Sequence, residues 1–474
     1  DHQMNTLVAE HFGTYYQRLP LTVSASIIHA NALRINWEDI VSKNELSYIL
    51  GNPPFIGKKE QTKEQKFDMH LIFGYNKGTS VLDYVSAWYK KTSDFIKNTP
   101  IKCAFVSTNS ITMGEQAPIL WKPLFEDFNI VINFAYHTFR WHNEAKGKAA
   151  VHCVIIGFST NHISKKIIFC TDNTQIVASN INPYLVDAPN VYITKRTSPI
   201  CKVPEMKYGS MPIDNGYLIL TQEEKEYFEK VEPFTSTFIR KYVGGDELIN
   251  NTLRWCLWLI DIQPNDIQRS KLTLDRIKKT REFREKSRRK DTRKLAETPQ
   301  LFGEIRQPVT AYIIIPKVSS ENRRYIPIKF LTPDIITNGS ALIIPNATLY
   351  HFGVLTSSTH MSWMRAVGGR MKSDYQYSAS IVYNNFPWPE VTIKQKDAIE
   401  LAVKEILHVR ELYVDNKLAD LYDPLTMPPE LNKAHKKLDR LVLHSYALKG
   451  ETPESEIVAE LMKRYQIITS AINK

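Results

Sequence analysis

From Glu45 to Ser159, short apolar runs alternate with segments of helical spacing, and that alternation restricts the fold more than any other feature of the 474-residue chain. "ELSYILGNPPF" reads as a buried strand and "KCAFVSTNS" as a second one. Between them "VLDYVSAWYKKTSDFI" (Val81–Ile96) reads as a helix with Val81, Tyr84, Val85, Trp88 and Tyr89 on one side. "MGEQAPILWKPLFED" reads as a helix, "NIVINFAYH" as a strand and "AAVHCVIIGFS" as a long strand. Upstream, "SASIIHANAL" reads as a strand entering a polar turn. Strands alternating with helices predict an α/β fold with a mostly parallel sheet. Little helical pattern separates the last two strands, so they are expected to pair antiparallel at an edge.

The pattern changes near Ser198, where turns and short strands take over: "GYLIL", "AYIIIPKV", "YIPIKFL", "ALIIPN" and "SIVYNNFPWPE". After Pro389 the chain turns helical. Ile399, Ala402, Val403, Ile406 and Val409 line one face, and Ala434, Leu438, Leu441, Val442 and Tyr446 another. Three units are therefore expected: an α/β domain over 1–197, a mixed α+β domain over 198–390, and a C-terminal helical segment over 391–474.

Charge points to a polyanionic partner. Lys and Arg exceed Asp and Glu by 11, and the excess concentrates in "RSKLTLDRIKKTREFREKSRRKDTRK" (Arg269–Lys294). This segment is either a solvated helix or a basic helix tracking phosphates, with Lys278 and Arg281 as backbone contacts. Five scattered cysteines (Cys103, Cys153, Cys170, Cys201, Cys256) form no CxxC pair, so no disulfide framework or zinc ribbon is indicated and no metal is expected. No run approaches the ~18 apolar residues of a membrane span, and the first residues do not read as a secretory signal. A reduced, cytoplasmic protein is expected.

The corner Asn52-Pro53-Pro54-Phe55, at the carboxyl end of a predicted strand, has a specific chemical use. Ligands of open α/β sheets bind outside those strand ends. The prolines fix φ and remove two N–H donors. What remains is a pair of acceptors, the Asn52 side-chain oxygen and the Pro53 carbonyl. Two fixed acceptors suit the planar amino group of a nucleobase, whose lone pair is delocalised into the ring. Accepting both hydrogens pulls the nitrogen toward tetrahedral geometry and frees the lone pair for attack on a methyl group. Phe55 offers a face for stacking, and no strong base is needed. The competing use is a proline turn with a packing phenylalanine.

This corner resembles motif IV of amino-group DNA methyltransferases. Over nearly its whole length the chain resembles the fused type IIG/IIL restriction–modification enzymes of the MmeI kind. The resemblance is carried, in family order, by "DHQMN…EHFGTYYQRLPL", "IIHANALRINWED", "ILGNPPFIGKK", "FVSTNSITMGEQ", "FRWHNEAKGKAAVHCVIIGF", "YIIIPKVSSENRRYIPI" and "GRMKSDYQYSASIVYNNFPWP". It implies a partial Rossmann-like domain using S-adenosylmethionine, then a target-recognition domain that binds double-stranded DNA. Asn31, Ala32 and Leu33 match the block that contacts the adenosine of the cofactor. Asn52, Pro53, Pro54 and Phe55 match the catalytic corner for adenine N6. Phe139 matches the aromatic position that backs the flipped base, with Trp141 a nearby contender; core packing is their competing use. "SSENRRYIP" and "GRMKSDYQYS" match blocks whose variable positions read bases, with Asn322, Arg323, Lys372, Asp374 and Gln376 as candidates. Arg365 and Arg370 are expected to make phosphate or structural contacts.

The chain departs from the family pattern at its start. The glycine-rich cofactor loop, motif I, and the upstream nuclease find no match. The expectation is a C-terminal portion that alone binds S-adenosylmethionine poorly and methylates weakly, with the missing portion as a possible partner. The alternative is a DNA-recognition fragment without turnover of its own.

Overall fold

The computed structural model describes residues 2–13, 25–75, 78–141 and 151–472. Six strands build the first sheet: β1 (Tyr48–Gly51), β2 (Lys102–Thr108), β3 (Val131–Trp141), β4 (Val151–Ser159), β5 (Lys166–Phe169) and β6 (Gln175–Ala178). Their order is β1-β2-β4-β3-β5-β6. β1 pairs with β2 and β3 with β5 in parallel, while β2/β4, β3/β4 and β5/β6 are antiparallel. The sheet is thus mixed where a mostly parallel one was expected. The physical reason is connection length, because a parallel return needs a helix-sized crossover. Helices Lys63–Phe73 and Ser86–Phe95 supply one between β1 and β2, and Gln116–Glu126 lies between β2 and β3. The later connections are shorter, and β4 folds back between β2 and β3. The last two predicted strands pair antiparallel as expected, but they lie at the centre of the sheet and not at its edge, because β4 folds back between β2 and β3 and β3 also pairs with β5.

"SASIIHANAL" forms no strand among its described residues (Ser24 lies outside them). Ile27 and Ile28 are exposed, and no described strand lies against them to complete a ladder. The helix predicted from Val81 is regular over Ser86–Phe95, with a separate short turn at Thr79–Val81. Tyr89 organises the packing over the sheet: it stacks on Phe158 at 5.3 Å and meets Phe105 and Trp121 edge-on. The same apolar core continues through Trp363, Phe386, Leu438 and Leu461.

Within 198–390, Tyr312–Pro316 and Ala341–Pro345 pair antiparallel at the centre of a four-stranded sheet. "SIVYNN" is not a strand. Ala379–Tyr383 forms a buried wide helical turn, whose Ser378 hydroxyl accepts the Ile381 N–H at 3.0 Å. A short apolar run does not distinguish a buried strand from a buried helix. The expected C-terminal faces are buried: Ile399, Ala402, Val403 and Ile406 on Ile393–Glu411, and Ala434, Leu438 and Val442 on Pro429–Ser445. Val409 and Leu441 are half-buried beside them. Among the described residues no helix is long and apolar enough to cross a membrane.

The basic segment serves two purposes. Its helix Lys271–Glu285 packs on a separate core that includes Leu218, Phe228, Phe238, Leu257 and Phe302. Lys278 and Arg281 are exposed, but Arg284 is fully buried. Its five N–H groups donate to the carbonyls of Pro212, Ile213, Leu295, Thr298 and Leu301 at 2.7–3.0 Å. A planar guanidinium can serve all five acceptors, whereas an ammonium presents only three donors. Arg284→Lys should therefore lower unfolding free energy by at least about 3 kcal/mol, read by denaturant titration. A loss near zero would show that the five carbonyls find other donors.

Candidate active site at the end of the sheet

β1 ends at Gly51, opposite Phe105 of β2. A Cβ on Gly51 would meet the Phe105 ring at 3.1 Å, so the strand leaves the sheet close against that ring. Pro53 is then buried, Pro54 exposed and Phe55 half-buried. Asn52 is exposed, and neither its side chain nor the Pro53 carbonyl is engaged by another described residue. The two acceptors are unspent.

What fixes the corner lies behind it. The buried Asp83 carboxylate accepts the Ile56 N–H at 3.1 Å and the Val85 N–H at 3.3 Å through Oδ1, and the Thr108 hydroxyl at 3.1 Å through Oδ2. The Asp83 N–H donates to Gln116 Oε1 at 2.8 Å, and the Tyr84 N–H to the Ile56 carbonyl at 3.0 Å. Gln61 Nε2 bridges the Ile56 and Leu82 carbonyls at 3.2 and 3.0 Å. Burial pushes the Asp83 carboxyl up, against the hydrogen bonds from Val85, Ile56 and Thr108. Sequence reading missed Asp83. Its signal was a lone carboxylate inside the apolar run Leu82-Asp83-Tyr84-Val85.

The neighbouring residue secures the Asn31 block. Asp68 is buried and receives the Tyr84 hydroxyl at 2.6 Å, Arg34 Nε at 2.6 Å and Asn31 Nδ2 at 3.1 Å. Burial works against the Asp68 charge, but these donors outweigh it and hold the carboxyl below its usual range. Asn31 Oδ1 accepts the Leu33 N–H at 2.9 Å, and Trp37 Nε1 donates to the Ala32 carbonyl at 2.9 Å. Asn31 is exposed, Ala32 half-buried and Leu33 buried.

Phe139 reaches the same end of the sheet. Cys153 of β4 is the register partner of both Thr108 on β2 and Phe139 on β3, so the two residues stand level. Phe139 is half-buried and Trp141 exposed, with ring centroids 6.1 Å apart. Residues 142–150 lie outside the described residues.

The two expected recognition blocks, about fifty residues apart, form one small sheet. Val318–Ser319 pairs with Asp374–Gln376, which pairs with Gly369–Met371. Asn322 and Lys372 are exposed, Lys372 at the hairpin tip with φ +58°. Arg323 and Gln376 are half-buried, and Asp374 Oδ1 accepts the Glu321 N–H at 3.3 Å. This sheet meets the end of the first one across a polar cleft of about 260 Å³. Asn109, Thr138, Arg140 and His152 line one side, and Glu321, Asn322, Arg370, Ser373 and Tyr375 the other. Arg140 and Glu321 form an ion pair across it, with His152 Nε2 3.6 Å from the same carboxylate. Arg370 stacks over Tyr375 at 4.4 Å, while Arg365 is held bidentately by Glu454 at 2.7 and 2.8 Å. Lys278 and Arg281 lie outside the cleft lining. Among the described residues no cluster of His, Cys, Asp or Glu could hold a metal ion.

The raised Asp83 pKa sets a sign. The folded state holds this proton to higher pH than the unfolded chain, so its contribution is fully present below about pH 4 and is lost as pH rises through the folded pKa. Asp83→Asn should remove that loss, and variant-minus-wild-type stability should rise with pH across the window. Parallel unfolding curves from pH 4 to 7 would contradict it.

Comparison with known proteins places these features in a family. Residues 1–170 match the MmeI DNA-methyltransferase domain, 187–390 the MmeI target recognition domain, and 391–473 the MmeI C-terminal domain. The chain is 42% identical over 472 residues to a Bacillus subtilis (strain 168) protein described as DNA methyltransferase A, covering 99% of this chain and 54% of that protein. It also resembles the solved structure of the Type IIL restriction–modification enzyme MmeI in complex with DNA, at 49% identity and a TM-score of 0.84, covering 99% of this chain and 63% of that one. The chain thus spans about half the length of the curated relative it matches. With its methyltransferase, target-recognition and C-terminal domains all matched, the chain belongs to the MmeI family.

Proposed function

We propose that this protein is the modification and recognition part of a restriction–modification enzyme and methylates adenine N6 in double-stranded DNA. The observation that carries this reading is the corner itself: two unspent acceptors at Asn52 and Pro53, held from behind by Asp83. A target adenine extruded from the duplex enters the end of the sheet. Asn52 Oδ1 and the Pro53 carbonyl accept its two amino hydrogens, and the nitrogen lone pair is freed for attack. Pro54 keeps the corner rigid, Phe55 stacks on the base, and Phe139 with Trp141 backs it. The surplus proton leaves after the methyl has arrived, so the corner needs no strong base.

S-adenosylmethionine supplies the electrophilic methyl group when bound, and Asn31, Ala32 and Leu33 would form part of its site. The fit is partial. The block presents an exposed turn, yet both ends of the Asn31 amide are engaged, by Asp68 and Leu33. It serves as a shaped shoulder more than as a hydrogen-bonding cradle.

Recognition is assigned to the small sheet facing the cleft, with Asn322, Arg323, Lys372, Asp374 and Gln376 toward base edges. Arg370 belongs with them as a backbone contact, and the exposed Lys278 and Arg281 add phosphate contacts further out. The domains divide at 197/198 and 390/391 in this reading.

Sequencing that detects N6-methyladenine, applied to DNA from cells expressing the protein, tests it. One recurrent site should be methylated. Asn52→Ala should lower methylation about 100-fold or more while duplex binding stays unchanged. Methylation that survives Asn52→Ala would overturn the catalytic assignment, and duplex binding without any methylation would reduce the protein to a recognition module. Lys278→Ala and Arg281→Ala should each weaken binding to all sequences alike and reduce the salt slope by about 1. A sequence-dependent loss would contradict a phosphate role.

A further inference from the structure

The buried Asp439 belongs to the C-terminal helix Pro429–Ser445, far from the cleft in sequence, yet its two oxygens serve the two recognition blocks separately. Oδ2 accepts the Tyr325 hydroxyl at 2.7 Å, at the root of the first block. Oδ1 accepts the Ser358 N–H at 2.7 Å, at the first residue of the helix Ser358–Val367 that leads into the second block. Tyr325 also stacks on His435, one helical turn before Asp439, with centroids 4.2 Å apart. Arg410 of the preceding C-terminal helix donates to the Ile328 carbonyl at 2.9 Å, just past the first block.

The other end of Ser358–Val367 is held as well. Glu454, first residue of the last helix, takes Arg365 bidentately. The Arg365 carbonyl accepts Arg370 NH2 at 3.1 Å, inside the second block. Three C-terminal helices thus grip both ends of the lead-in helix and the root of the facing loop. Neither Asp439 nor Glu454 lines the cleft.

We infer that Asp439 and Glu454 are positioning residues for sequence recognition, setting the distance and angle between the two base-reading blocks. The inference rests on the assignment of those blocks to recognition. The physical basis is geometric: hydrogen bonds to base edges discriminate only when donors and acceptors on both blocks register together with one site. Phosphate contacts tolerate small shifts, because charge acts over longer distances. Loosening the grip should therefore reduce discrimination and spare general DNA affinity.

The test uses the whole chain. Selection from a randomised duplex pool with the wild-type chain defines the preferred site. Affinities for that duplex and for a scrambled one are then measured at several salt concentrations for wild type, Asp439→Asn and Glu454→Gln. The expected result is a fall of about tenfold or more in the ratio of the two affinities, with affinity for the scrambled duplex and its salt slope unchanged. Glu454→Asp, which keeps the charge, should recover part of the ratio. Glu454→Gln keeps the test decisive if Asp439→Asn fails to unfold cooperatively, since the Arg365–Glu454 pair is partly exposed. A wild-type ratio in the folded variants overturns the inference, as does an equal loss for both duplexes. A wild-type chain that selects no site overturns the recognition assignment together with it.

Discussion

The geometry of the corner depends on the Asp83 carboxylate. It joins three segments that are distant along the chain: the residue after the corner, the start of the helix Ser86–Phe95 and the end of β2. A carboxylate placed there is costly, since burial disfavours its charge, and its hydrogen bonds offset that cost. The arrangement has a consequence for chemistry. A corner that anchored itself through Asn52 would have no acceptor left for a substrate. Because Asp83, Gln61 and Gln116 do the anchoring, Asn52 and the Pro53 carbonyl stay open. The adjacent Tyr84 extends the same support to Asp68 and through it to the Asn31 turn. Two consecutive residues thus fix both halves of the proposed methyl-transfer site.

The recognition side is built on the same logic of support from behind. The sheet proposed to read bases has three strands of only two or three residues each, too short to hold themselves in place. It gains rigidity from the core beneath it, which runs without a break from the first sheet to the last helix. Arg140 pairs with Glu321 across the cleft between this sheet and the end of β3. Arg140 sits between Phe139 and Trp141, and Glu321 beside Asn322. The pair therefore ties the side of the cleft proposed to hold the flipped base to the side proposed to read bases.

Much of this was legible in the sequence, for identifiable reasons. Strands announce themselves as apolar runs, and the runs at Tyr48, Lys102, Val131 and Val151 all became strands of one sheet, although the first, expected to be buried, is an edge strand with Tyr48 and Leu50 exposed. The paired prolines after β1 mark a corner because no regular element continues through them. Sheet direction was legible only where little chain separates two strands, as for β3 and β4; elsewhere it was not, because a hairpin and a crossover differ in the path of the chain and not in the strands themselves. "SIVYNN" misled because burial erases the alternation that separates strand from helix. The basic segment read as a single charged stretch, yet Arg284 within it is a structural guanidinium and Lys278 a solvated ammonium. Charge counting does not see which side of a helix meets a cluster of carbonyls. Asp83, Glu321 and Asp439 escaped for a related reason: their partners are distant in sequence, and only the fold brings them together.

The central claim is that a flipped base lies at the Asn52 corner. Photocrosslinking tests it most directly. In the duplex that the protein selects, 5-iodouracil replaces the target adenine, the complex is irradiated, and the attachment point is mapped by mass spectrometry. The account predicts attachment at Phe55 or at the Phe139–Trp141 pair. Attachment confined to the recognition sheet or the basic helix, with none at those aromatics, would show that the target base never enters the end of the sheet.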